Sequence, residues 1–169
     1  SVSLQLEKFT LIGSTTRAGL LSAPLLDRFG IRCRLKYYNV DELADIVNRS
    51  AGILKIRIED EGAMIIAKRS RGTPRIANRL LKLTRDLAIV KNKGVITADI
   101  AGESLDNWEI DHLGLDELDK KILMTIIDTY NGGPVGLNSI AVSVGEEPGT
   151  IEEVYEPFLV LEGFIRRTS

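Results

Sequence analysis

The stretch GTPRIANRLLKLTRD, residues 72–86, constrains the fold most, because it admits little besides a long amphipathic helix. Thr73 offers a capping hydroxyl, and Pro74 falls at the first helical position, where its missing N–H costs nothing. Ile76, Leu80, Leu83 and Leu87 follow at spacings of four, three and four, an apolar stripe along one side. Flanking segments supply partners for that stripe. Asp41 is placed to cap a helix carrying Leu43, Ile46, Val47 and Leu54 on one face. Asp60 is placed to cap EGAMIIAKRS, which Gly72 closes, and Thr97 to cap a further helix after the turn NKG. Residues 39–106 therefore read as a helical bundle.

Two other segments flank it. Residues 107–169 read as three helices and the start of a strand. Asp116 caps ELDKKILMTIIDTY, GGPVG stops it, and Asn138 opens a short helix. Thr150 with Glu153 has capping-box spacing for TIEEVYEPFLVLEG, and FIRRT follows as a strand-like end. Short helices around a tight turn followed by a strand make a winged helix-turn-helix pattern, with 150–161 as its recognition helix. Residues 1–38 contain two strand-like runs, FTLIG (9–13) and IRCRLKYY (31–38), around a short helix through PLLDRF capped by Ser22. Two strands and one helix cannot bury a sheet face. This segment is expected to be the end of a larger α/β domain, and the chain a truncated piece of a longer protein.

Bulk properties exclude several classes. No apolar run approaches the roughly 18 residues of a membrane span and no signal-peptide pattern is present, so no membrane contact is expected, and a lone cysteine fits a reducing cytoplasm. A single cysteine, Cys33, and a single histidine, His112, argue against a disulfide and against a transition-metal site. The net charge of −2 conceals an asymmetry: residues 1–102 hold 18 Lys+Arg against 10 Asp+Glu, residues 103–169 hold 4 against 14. The basic portion suits a polyanionic ligand, although a solvated face has the same composition.

Individual residues suggest chemistry without specifying it. Arg28 stands at the end of a short helix, where a guanidinium can reach a phosphate on a neighbouring subunit or pair with Asp27 or another carboxylate. Thr15 and Thr16 end a strand-like run, where a hydroxyl can orient water or a γ-phosphate. Arg75 lies in the first turn of its helix, a position unfavourable to a cation unless an anion or solvent receives it. Glu152, Glu153 and Glu156 on the recognition helix would repel nucleic-acid phosphates, leaving Arg166 and Arg167 at the wing as the contact, unless they form a solvated tail. No G-x-x-x-x-G-K-[ST] occurs, and one histidine leaves no catalytic triad.

Four segments together, GSTTRAGLLSAPLLDRFG, RSRGTPRIANRLLKLTRD, GGPVGLNSIA and EPFLVLEGFIRRT, resemble the RuvB family in order and spacing along essentially the whole chain. RuvB proteins are hexameric AAA+ motors that drive branch migration of Holliday junctions in recombination and repair. The resemblance implies a mainly α chain in three parts. These are the end of the AAA+ large domain (1–38), a helical lid (39–106) and a winged helix with a shortened wing (107–169). It implies ATP or ADP with Mg2+ as the nucleotide of the intact protein. Thr16 corresponds to sensor 1 and Arg28 to the arginine finger acting in trans. Tyr38 and Pro74 correspond to the adenine side of the pocket, Arg75 to sensor 2 and Arg167 to a DNA-contacting wing residue. Expected partners are Holliday junction or duplex DNA, a RuvA-type junction-binding protein and further copies in a homo-hexamer.

Departures from the family pattern qualify these expectations. Walker A and Walker B segments are absent, so the chain by itself is expected neither to hold nor to hydrolyse ATP. The wing stops at Ser169, which lowers expected DNA affinity, and the RuvA surface belongs to the large domain. Leu26 stands where some members carry a second arginine. Two readings from other classes are a non-catalytic winged-helix DNA-binding or regulatory protein, and a helical interaction module.

Overall fold

The computed structural model describes residues 7–15 and 18–168 and divides into a unit ending at Lys36 and a larger one beginning at Tyr37. The architecture is mainly helical, as the periodicity implies.

In the first unit the only α-helix among the described residues is α1 (Ala23–Leu26), one turn with Ser22 at its N-cap and Pro24 at its start. Ser22 makes no side-chain capping bond, and the helix stops short of the expected PLLDRF. The two strands expected at 9–13 and 31–38 are not formed. A strand needs a neighbour to receive its backbone N–H and C=O groups. These two runs do not pair with each other, and Ile12, Ile31 and Leu35 are left 85–91% exposed.

The larger unit holds two hydrophobic cores. The first is built by α2 (Val40–Ile53), α3 (Asp60–Lys68), α4 (Pro74–Lys91) and α5 (Ala98–Asn107). Leu43, Val47, Ile66, Leu80, Leu81 and Leu105 fill it, and seven alanines, among them Ala63, Ala77 and Ala101, let the helices approach closely. Along α4 the buried line is Ala77, Leu80, Leu81, Thr84 and Ala88, so the stripe read from Ile76, Leu83 and Leu87 forms the flank of the buried face. Two short strands, β1 (Arg57–Ile58) and β2 (Val95–Ile96), pair in parallel at one end of the bundle, a feature the sequence did not suggest. Gly62 sits against this pair, and a Cβ there would lie 3.0 Å from the Ile96 carbonyl oxygen.

Caps decide where the helices begin. Thr97 accepts from the Ile100 N–H, as expected. The first helix is capped by Asn39, not Asp41: Asn39 and Glu42 form a reciprocal capping box. Asn39 has the extended backbone that an N-cap requires, whereas Asp41 already lies inside the helix. Likewise Glu59, with extended backbone, precedes α3, and Asp60 is its first helical residue.

The second core gathers Leu115, Ile122, Ile140, Val144, Ile151, Phe158 and Leu159. It is built by α6 (Glu117–Met124), α7 (Leu137–Val144), the turn at Ile151 and α9 (Glu156–Leu161), while the short α8 (Pro148–Thr150) buries no residue. Asp116 caps α6 in a box with Asp119. Helix α7 begins one residue earlier than expected, at Leu137. Helices α8 and α9 are joined by a π-helical turn over Ile151–Tyr155, so Thr150 is interior and forms no capping bond; Pro148 starts the helix instead. Pro157 has no N–H to give to the preceding turn, and the helix widens just before it. The expected wing strand is absent: residues 164–168 are irregular, with Phe164 and Ile165 N–H groups bonded to the Leu159 carbonyl.

Between the two cores runs one strongly buried polar contact. Arg71, 11% exposed, pairs with fully buried Asp119, lies 3.1 Å from Asp116 Oδ2, and stacks 4.7 Å above the Phe158 ring. Its Nε donates to the Gly114 carbonyl at 2.8 Å. Asp119 also accepts the Asp116 N–H through Oδ2, while its Oδ1 finds no donor among the described residues.

Burial, the largest influence, pushes the Asp119 carboxyl up to about 6 from an ordinary 3.8, against the Asp116 hydrogen bond and the Arg71 charge, which lower it. The folded chain thus holds this proton more tightly than the unfolded chain. The resulting contribution to stability is complete below about 3.8 and is lost as pH rises through about 6. Asp119→Asn should remove that downward slope. The check is the difference in unfolding free energy between parent and variant from pH 4 to 7; a difference independent of pH would exclude the shifted carboxyl.

Candidate functional site

The turn between α3 and α4 gathers several of the residues singled out in the sequence. Arg71 and Gly72 are consecutive left-handed residues, with φ of 52° and 66°. Glycine adopts this conformation freely; arginine does so only where its surroundings hold it there. At Gly72 even space forbids a side chain, since a Cβ would lie 2.8 Å from Tyr37 Cβ. That close approach lets the Tyr38 N–H donate to the Gly72 carbonyl at 3.0 Å. Tyr38 is thereby brought beside the start of α4, where Pro74 is the first residue and Arg75 the second.

The start of α4 is electropositive. Its first turn holds no acidic residue, its leading N–H groups point outward, and exposed Arg75 adds a full charge. Thr73 occupies the N-cap position but does not cap; its hydroxyl donates to the Arg71 carbonyl at 3.1 Å. Tyr38, 46% exposed, is an aromatic residue whose backbone is tied to Gly72, just ahead of this end. An aromatic face, a proline ring and a cation at a helix start are suited to the base and phosphate ends of a nucleotide. Among the described residues no cluster of acidic, histidine or cysteine side chains suits a metal ion.

Arg28 lies in the turn that follows α1 and is exposed. The alternative of an ion pair with Asp27 is not what forms: Asp27 is taken by Arg32, at 3.1 Å. Thr16 lies outside the described residues.

At the far end of the chain, Arg167 is engaged by the helix in front of it. Its Nε donates to Glu156 at 2.6 Å and its Nη2 to Glu152 at 3.0 Å. These hydrogen bonds, led by that from Glu156, raise its pKa further above the range of solution pH. The glutamates read as repelling a polyanion therefore also neutralise the wing cation. Arg166, its neighbour, is exposed.

Arg69, Arg71 and Asp119 escaped the sequence reading. Arg69 donates to Asp106 at 2.5 Å and to the Ile110 carbonyl at 2.7 Å, fastening the same turn to the end of α5. The available signal was RSRG, two arginines on either side of Ser70 and followed by Gly72 just before Thr73-Pro74, together with two aspartates, Asp116 and Asp119, in one helical turn.

Comparison with known proteins matches three domain models in chain order. The Holliday junction DNA helicase RuvB P-loop domain matches residues 1–35, the RuvB AAA lid domain 38–111, and the RuvB C-terminal winged helix domain 112–169. A solved structure of Thermotoga maritima RuvB, titled a Holliday junction branch migration motor, is 53% identical, with a TM-score of 0.84 over 90% of this chain and 51% of its own. A mutant of the same protein is 51% identical, with a TM-score of 0.89 over 99% of this chain and 56% of its own. Another mutant is 53% identical, with a TM-score of 0.88 over 96% and 54% respectively. This chain spans about half the length of these structures.

Proposed function

Because the chain belongs to the RuvB family of AAA+ motor proteins, we propose that it supplies the nucleotide lid, the trans-acting arginine and the DNA-contacting wing of a Holliday junction branch-migration motor. The observation that supports this reading is the backbone bond from the Tyr38 N–H to the Gly72 carbonyl, which ties Tyr38 to the turn just ahead of Pro74 and Arg75 at an electropositive helix start.

In this reading Tyr38 and Pro74 border the adenine, and Arg75 reaches the phosphates of ATP or ADP. A phosphate supplies the anion that makes a cation in the first turn of α4 favourable. Arg28, exposed and with its neighbour Asp27 engaged elsewhere, presents a guanidinium to the γ-phosphate held by an adjacent subunit of a homo-hexamer. There it stabilises the charge that develops on the transferring phosphoryl group. Thr16 is assigned the sensor role at that phosphate. The 169 residues include no phosphate loop, so ATP turnover and the Mg2+ that accompanies it require that element from outside them. A RuvA-type junction-binding protein is the expected partner of the assembled motor, acting in the cytoplasm on junction or duplex DNA.

For the finger, Arg28→Ala in a full-length RuvB ring carrying these residues should lower ATPase turnover by about three orders of magnitude while nucleotide affinity stays within a few-fold. Turnover retained in that ring would make Arg28 a surface residue without a catalytic part.

At the wing, two opposed substitutions test the DNA contact in the 169-residue chain by fluorescence anisotropy with labelled duplex. Arg166→Glu with Arg167→Glu should weaken binding and flatten the dependence of log affinity on log salt. Glu152→Gln with Glu156→Gln releases Arg167 and removes two repelling charges, so it should strengthen binding several-fold and steepen that dependence. No movement in either direction would remove the wing from the interface.

A further inference from the structure

Three features of the larger unit stand outside the roles assigned above: the acidic groove lined by Glu109, Glu117 and Tyr155, the apolar face around Trp108 and Val90, and the Arg71 cluster. The groove presents carboxylates to solvent, and nothing around the apolar face specifies what would cover it. The Arg71 cluster differs, because it joins the two ends at which the proposed motor meets its ligands.

We propose that Arg71 is a positioning residue that couples the nucleotide side of the lid to the winged helix, an inference that rests on the motor reading above. On one side, Arg71 is three residues from Pro74 and four from Arg75, within the left-handed turn that Tyr38 closes. On the other, its guanidinium engages the winged helix at three separate places. It meets the Gly114 carbonyl ahead of α6, the Asp116 and Asp119 carboxylates in the cap and first turn of α6, and the Phe158 ring on α9. Helix α9 also carries Glu156, which holds Arg167. Contacts are therefore continuous from Arg75 through the turn to Arg71, across to Phe158, and on to the wing.

The joint is built to transmit displacement. Arg71 and Asp119 are both largely withdrawn from water, so sliding one past the other would expose an unpaired charge to an apolar surrounding. Close packing makes the backbone equally unyielding: at Gly114, with φ of 81°, a Cβ would lie 3.0 Å from the Arg69 carbonyl oxygen. Arg69 in turn fastens the same turn to Asp106 and the Ile110 carbonyl. A movement at the start of α4 that accompanies a change in bound phosphate is thus delivered to α6 and α9. A lysine at position 71 would keep the charge but lose the planar fork that reaches a carbonyl and a carboxylate at once.

The experiment compares basal and duplex-stimulated ATPase in a full-length RuvB ring carrying these residues, with duplex affinity and thermal unfolding measured on the same samples. Arg71→Met combined with Asp119→Asn removes both buried charges, keeps side-chain volume, and leaves an acceptor for the Asp116 N–H. In this ring the stimulation by DNA should fall to near one-fold, while basal turnover and duplex affinity stay within about twofold of the parent. Arg71→Lys, which retains the charge and guards against a folding failure of the double variant, should also lose most of the stimulation. A purely structural role predicts that basal and stimulated rates fall together, in proportion to lost folded protein. Full stimulation in either folded variant overturns the coupling role and leaves the motor reading intact. A parent ring whose ATPase ignores DNA, and whose wing does not bind duplex, overturns the motor reading and the coupling with it.

Discussion

A guanidinium and a carboxylate withdrawn from water, Arg71 and Asp119, join the two halves of the larger unit. Removing either partner alone would leave a buried charge uncompensated, a loss of about 3–5 kcal/mol in comparable pairs. An apolar contact of the same volume is often as stable or more so, so the pair is better understood by its geometry than by its stability. Here Gly114, Asp116 and Phe158 complete that geometry, and each belongs to the winged helix or to its entrance. The lid is thereby held against the winged helix in a single arrangement. Neither of the two separate apolar cores would enforce that arrangement by itself.

The turn that carries Arg71 also leads into the candidate nucleotide side. A turn with two successive left-handed residues reverses the chain within five positions, so the buried end of α3 and the exposed start of α4 lie side by side. Gly72 serves through the side chain it lacks, which admits Tyr37 and lets Tyr38 bond to the turn. Arg71, left-handed without glycine's freedom, is kept there by its contacts on both sides. The left-handed backbone of Arg71 and a buried charge coincide at the turn between α3 and α4.

How much of this was legible depended on the range over which each feature is determined. Thr97 and Asp116 were recognisable as caps because a cap is satisfied within three residues of itself. The same rule misplaced the starts of α2 and α3 by one or two residues. At α2 both Asn39 and Asp41 could cap, and at α3 Glu59 holds the cap position without a side-chain bond, so only backbone conformation distinguishes the cap from the first helical positions. Thr150 and Glu153 have the spacing of a capping box, yet Pro148 had already begun the helix. Of the strand-like runs at 9–13 and 31–38 the second has the right alternation, but alternation describes a face and not the neighbour that must pair with it. In contrast, β1 and β2 are two residues long and too short to show any alternation, and they exist because the bundle brings them together.

By itself the sequence determined the helical character of the chain and the family it resembles. These follow from periodicity, from turn chemistry around Thr73-Pro74, and from motifs contiguous along the chain. Only the tertiary structure decided which charges meet. Arg71 and Asp119 are 48 positions apart, and Arg167 finds Glu152 and Glu156 across the turn at Gly163 rather than standing free. Asp27 likewise pairs with Arg32, leaving its neighbour Arg28 exposed. An ion pair carries no local signature, because any carboxylate within reach will serve. Reach is set by how whole helices pack, and that is a property of the burial of many side chains at once.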